Sequence, residues 1–171
     1  MKEIGVTIQP VGTGYLVRVS GRANFDYAVP IRELAKTLSG KEPFVFDLSQ
    51  CTAMDSTFMG VLSMIGLKAR RCAVPVVIAG AADNLRALLH GLGVDKLFSF
   101  VAEVPAAGGD ATAARSAGDL HATAETVLEA HQSLIRADCT NAQRFEQVIE
   151  FAKADVDRLK AEKEASKPDQ K

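Results

Sequence analysis

The sequence predicts an α/β layer structure, a mixed sheet packed against helices, followed by a C-terminal αα-hairpin. Three observations carry this. Val6-Thr-Ile8 and Tyr15-Leu-Val-Arg-Val-Ser20 alternate in the manner of strands about a Gly12-Thr13-Gly14 turn, which marks an opening β-hairpin. Short apolar strands then alternate with amphipathic helices, as in a sheet covered by helices with right-handed crossovers. After Val104 the composition changes, and two long helical stripes follow.

Taken in order, Gly21-Arg-Ala-Asn24 breaks the second strand. Ile31, Leu34, Ala35 and Leu38 recur at helical spacing, so a helix is expected over about 26–39, with Pro30 in its first turns, where a missing N–H costs least. Phe44 to Leu48 is an apolar, central strand, and a loop follows it. Asp55-Ser56 opens a helix over 57–71 that ends in Arg70 and Arg71, well placed against its dipole. Val74 to Ala79 is a further strand. Leu85, Leu88, Leu89 and Leu92 make a third helix closed by Gly91 or Gly93, and Leu97 to Val101 is a last strand.

Residues 105–118 carry no periodic apolar face and read as a flexible linker after a domain spanning 1–104. Leu120, Ala124, Val127, Leu128, His131, Leu134 and Ile135 then trace one stripe, and Phe145, Val148, Ile149, Ala152, Val156 and Leu159 another. Asp138-Cys-Thr-Asn141 is the turn between them, and Thr140-Asn-Ala-Gln143 fits a capping box. Residues 119–165 are therefore read as a helical hairpin, and 166–171 as a disordered tail.

Composition narrows the function. The 20 Lys and Arg against 21 Asp and Glu leave no basic excess for nucleic acid. The longest apolar stretches fall short of the roughly 20 residues that span a bilayer. The N-terminus, Met1-Lys-Glu-Ile-Gly-Val-Thr-Ile8, has no apolar core of a signal peptide and is expected to begin a strand. Cys51, Cys72 and Cys139 are odd in number and lack zinc spacing, and His90, His121 and His131 form no cluster. Free thiols, a cytoplasmic location, no metal and no cofactor are the expectations.

The Asp55-Ser56 pair is the one chemically loaded feature. Both residues are preferred N-caps, each contributing about 1 kcal/mol. A hydroxyl at a helix N-terminus is also placed where backbone N–H groups and the dipole favour negative charge, including a phosphate. Catalysis is the poorer reading. There is no Gly-x-Ser-x-Gly elbow, no glycine loop with a lysine to cradle phosphates, and no histidine at the end of a predicted strand. The chain is expected not to be an enzyme.

The hairpin, the Gly21-Arg-Ala-Asn24 break, the strand ending Phe46-Asp-Leu-Ser49, and Met54-Asp-Ser-Thr-Phe-Met-Gly-Val-Leu62 together resemble the STAS domain family, as does Asn84-Leu-Arg-Ala-Leu-Leu-His-Gly-Leu-Gly-Val-Asp-Lys-Leu-Phe98. The family comprises bacterial anti-sigma factor antagonists and also occurs on sulfate transporters. The likeness covers about residues 1–103. It implies a STAS-type mixed sheet and a signalling module in transcription regulation. That module would bind a serine-kinase anti-sigma factor and be switched by phosphorylation at Ser56, the serine after the aspartate. In this family a second serine and then a glycine commonly follow the acceptor; Thr57 and Phe58 stand there, and Thr57 is an alternative acceptor. The expected partner surface is Asp55, Ser56, Thr57, Phe58, Val61 and Met64, an apolar strip beside the serine. The alternative is a STAS scaffold subunit without phosphorylation, in a lipid-transport ABC complex or a stressosome-like assembly. Three fates of the hairpin stay open: folding back on its own domain, pairing with a second copy into a four-helix homodimer, or meeting another partner.

Overall fold

In a computed structural model, which describes residues 5–115 and 118–168, the chain turns back at Gly12 (φ 58°) to pair β1 (Gly5–Val11) antiparallel with β2 (Gly14–Ala23). Gly14 carries no side chain because a Cβ there would meet the Pro43 carbonyl oxygen at 2.1 Å. α1 (Phe25–Thr37), β3 (Phe44–Met54), α2 (Ser56–Arg71), β4 (Val76–Ala79), α3 (Asp83–Gly91) and β5 (Ser99–Val101) follow. The sheet order is β5-β4-β3-β2-β1 with β6 (Thr112–Ala114) beyond β1; β2 to β5 run parallel, and β1 is antiparallel to both its neighbours. Val17, Phe46 and Ile78 lie in register across three strands, fully buried, and join Ile31 of α1 and Leu62 of α2 in one core.

Four details differ from the sequence reading. β2 continues through Gly21-Arg-Ala23, and β3 continues to Met54, because the two strands stay paired across two register shifts where the sequence reads as break and loop. Pro30 is the sixth residue of α1, past the four whose N–H groups lack partners, so it removes one helical hydrogen bond. The expected linker contains β6, whose Thr112–Ala114 extends the sheet at the free edge of β1. The capping box at Thr140 does not form. Asp138 instead accepts from the Thr140 N–H and hydroxyl, at 3.0 and 2.7 Å.

α4 (Leu120–Ala137) and α5 (Ala142–Ala165) form the hairpin, and α4 folds back against α1 and α2. Its buried face is Ala124, Thr126, Ala130, His131, Ser133 and Leu134, so half of it is polar. Thr126 and Ser133 are satisfied there by donating to carbonyls one turn back, those of Ala122 and Glu129. The buried Asn141 pins the turn by donating to the carbonyls of Leu92 and Leu134, both at 2.9 Å. α5 rests on α4 and buries only Ala152, leaving Phe151 73 % exposed. Among the described residues no helix is long and apolar enough to cross a membrane. The expectations for residues 1–4, 116–117 and 169–171 lie outside the described residues.

Candidate functional site

β2 and β3 end side by side, with Ala23 paired to Met54, and Asp55 follows with its N–H donating to the Ala23 carbonyl at 3.0 Å. Asp55 is the N-cap of α2. Its Oδ1 accepts from the Phe58 N–H at 2.8 Å, and its Oδ2 accepts from the N–H of Phe25, the first residue of α1, at 2.9 Å. One carboxylate thus ties two helix starts together, where both dipoles favour its charge. Burial pushes its carboxyl above the usual carboxylate range, and the two backbone hydrogen bonds oppose that shift.

Because Asp55 does the capping, the Ser56 hydroxyl is left for another partner. That partner is His131 of α4, with Oγ and Nε2 2.9 Å apart. The other ring nitrogen, Nδ1, lies 2.7 Å from the Val127 carbonyl oxygen, which can only accept. Nδ1 therefore carries the proton, Nε2 is the acceptor, and Ser56 donates. Burial lowers the pKa of His131 below its ordinary value and keeps the ring neutral. Phe145 of α5 packs against the ring, centroid to centroid at 5.0 Å.

The remaining expected partner residues are not an exposed strip. Thr57, Phe58 and Val61 are buried, with Phe58 only 1 % exposed and part of the core. The reason is that α2 is covered on two sides, by the sheet and by α4, whose folding back was one of the three fates left open by the sequence. Met64 is half-buried and lies with Ala35, Leu38 and Phe44, toward α1. Asp55 and Ser56 alone of the six stand half-buried at the helix start.

Three further residues belong to this site and carried weak signals. Gly60, one turn after Ser56, lies against α4 so closely that a Cβ would meet the Ala130 carbonyl oxygen at 2.4 Å. Its signal was a glycine inside a helical pattern. Arg32 of α1 has no exposed side-chain surface and grips Glu129 with two hydrogen bonds, Nε to Oε2 at 2.9 Å and Nη2 to Oε1 at 2.8 Å. Glu33 and Glu125 add to the pair, which holds the Glu129 carboxyl below its usual range. Its signal was an arginine beside Ile31 on an apolar face. His131 read as one member of a stripe, and its reach to Ser56 depends on how α4 folds back.

A hydroxyl donating to a neutral imidazole that is oriented by a third group has the layout of a nucleophile and its base. Here the ring arrives on the helix that covers the serine. A cavity of about 730 Å³ is lined by Thr7, Arg18, Ser20, Tyr27, Gln50 and Arg115, among others, and by no residue of α2 or α4. The Ser56–His131 pair links two helices.

A search of curated proteins found no match. Among solved structures the chain is similar to the anti-sigma factor antagonist SpoIIAA in its unphosphorylated form. Identity is 12 %, the TM-score is 0.50, and the match covers 59 % of this chain and 90 % of that one. It is also similar to the Bacillus cell fate determinant SpoIIAA in the phosphorylated form, at 14 % identity and a TM-score of 0.49, over 58 % of this chain and 93 % of that one. The family model described as "Mlab, STAS domain" matches residues 7–102, a span that ends before β6, α4 and α5. That match takes in β2 to β5 and most of β1, the Asp55-Ser56 corner and more than half of the sequence, and the chain belongs to this STAS domain family.

Proposed function

We propose that the protein is a non-catalytic binding module of the anti-sigma factor antagonist type. It engages a serine-kinase anti-sigma factor through the start of α2, and phosphorylation of Ser56 ends the interaction. The observation that supports this is the division of labour at the helix start. Asp55 supplies the cap, so the Ser56 hydroxyl is not needed to cap α2, and its modification leaves that cap in place. The fold likeness to an anti-sigma factor antagonist points the same way. A phosphate would add about −1.5 to −2 charge at a helix N-terminus, which the domain tolerates and an interface does not.

A second reading, a scaffold subunit in a larger assembly such as a lipid-transport ABC complex, draws on the burial of the site. Ser56 faces His131 and α4 covers α2, so the serine is a structural link in the described conformation. Intact-mass measurement separates the two. The full chain is incubated with ATP and a serine-kinase anti-sigma factor, alongside Ser56→Ala. The switch reading expects one phosphate on the native chain and none on the variant. Equal uptake, or none on either, favours the scaffold.

A further inference from the structure

We infer that the face of α2 beginning at Ser56 is a helix-docking groove, filled in cis by α4, and that docked α4 and a phosphoryl group on Ser56 exclude one another. The role of a kinase partner rests on the proposed function above; the groove and the exclusion do not.

Three contacts define the groove. Ser56, Gly60 and Ser63 recur four and three residues apart along α2 and floor it with small side chains. Gly60 admits the α4 backbone itself, since any Cβ would overlap the Ala130 carbonyl group and Cβ at 2.4–2.6 Å. The Ser63 hydroxyl is turned away, donating to its own Met59 carbonyl at 2.8 Å, and leaves the floor smooth. Arg32 of α1 forms the wall and is neutralised by Glu129. The resident helix therefore offers a carboxylate followed directly by a small residue, Glu129-Ala130, with His131 next over the serine.

This pattern states what a partner has to bring. If α4 leaves, the buried Arg32 guanidinium keeps Glu33 but loses its two-pronged partner. A helix that takes the groove from another protein has to supply a carboxylate to Arg32 and a small residue to Gly60. The partner surface is a groove for a helix of α4-like chemistry.

Phosphorylation closes the groove to such a helix. In the transfer, Ser56 Oγ forms a bond to the γ-phosphorus of ATP. The bond from that phosphorus to the β–γ bridging oxygen breaks, ADP leaves with the electron pair, and the hydroxyl proton passes to a base of the kinase. The product oxygen has no proton to give His131, so Nε2 loses its donor. Three oxygens sharing about −1.5 to −2 charge would then stand in the 2.9 Å gap between Ser56 and the His131 ring, beside the Asp55 carboxylate. A space that holds one hydrogen bond does not hold a tetrahedral phosphoryl group. α4 has to leave before a kinase reaches Ser56, and it cannot return while the phosphate stays.

Hydrogen exchange read by mass spectrometry on the full chain tests this without any partner. The variants are Ser56→Asp, which puts a carboxylate in the gap, Ser56→Ala, which adds nothing, and Gly60→Leu, which blocks the groove sterically. The expected result is at least tenfold faster exchange over residues 120–137 in Ser56→Asp and Gly60→Leu. The peptides of β2 and β3 should stay protected, and Ser56→Ala should remain close to the native chain. Exchange over 120–137 in Ser56→Asp within twofold of native overturns the exclusion. Retained protection in Gly60→Leu overturns the groove. Loss of protection in β2 and β3 together with α4 also overturns the inference, because α4 would then be an inseparable part of the core. A chain that takes no phosphate from the kinase yet releases α4 in Ser56→Asp refutes the switch reading and leaves this one standing.

Discussion

Ser56 donates its hydroxyl proton to Nε2 of His131 across 2.9 Å, and in doing so joins the first turn of α2 to the appended helix α4. The residue that the family likeness marks for modification is thereby the residue that meets the hairpin. Placement of α4 is set by this bond together with the Gly60–Ala130 approach and the Arg32–Glu129 pair.

Gly60 is expected to resist the smallest enlargement. In an exposed helix Gly→Ala stabilises by roughly 1 kcal/mol. Here the added Cβ overlaps the Ala130 backbone, so Gly60→Ala should destabilise by about 1–3 kcal/mol. Urea unfolding of the full chain reads the sign directly, and a stabilised variant would refute the close approach.

Arg32 and Glu129 should behave as a half-buried pair, with the guanidinium covered and the carboxylate 39 % exposed. Glu129→Ala leaves the guanidinium with Glu33 and Glu125 alone, and a loss of about 1–2 kcal/mol is expected, below that of a fully buried pair because Glu129 is partly solvated. The double variant Arg32→Met with Glu129→Leu removes both charges and should recover most of that loss. If the double variant is as unstable as the single one, the pair is not what holds α4.

Asp55 caps α2 and also takes the Phe25 N–H of α1. Asp55→Ala strands two backbone donors and should cost about 1–2 kcal/mol in denaturant unfolding. Ser56→Ala, by contrast, leaves both caps intact and should be the milder change. The reverse order would make Ser56 the cap.

Stability should also depend on pH through His131. Its folded pKa is lowered from 6.5 by burial, so as pH falls below 6.5 the unfolded chain takes up the proton first and stability drops. The drop continues until the folded ring is also protonated; above 6.5 the ring contributes no pH dependence. Asp55 is the charged group that acts on His131, and Arg22 acts in turn on Asp55. The raised folded pKa of Asp55 has the opposite sign: above 3.8 the folded protein gains the proton first, so this group adds stability as pH falls toward 3.8. Thermal unfolding followed from pH 7.5 downward should therefore show a fall just below 6.5 that is flattened in His131→Gln.

The opening hairpin, the alternating helices and strands, and the Asp55-Ser56 corner were legible because each rests on local pattern: period-2 alternation, period-3.6 stripes, a cap before an apolar run. The continuation of β2 and β3 was not, because Gly21 and the polar run Ser49-Gln50 look like punctuation when register shifts are invisible. The hairpin was legible as two helices, but its seat was not. α4 buries Thr126, Ala130 and Ser133 in place of the large apolar residues that a hydrophobic stripe selects. That seat decides the fate of Phe58 and Val61, which sequence pattern offered as a docking strip and which the fold buries.

The bond by which α4 covers Ser56 and draws its proton toward His131 is read by nitrogen-15 resonances of the His131 ring followed through a pH titration. The ring should be neutral and protonated at Nδ1, with a pKa below 6.5. A ring that titrates near 6.5 with its proton shared between the two nitrogens would contradict it.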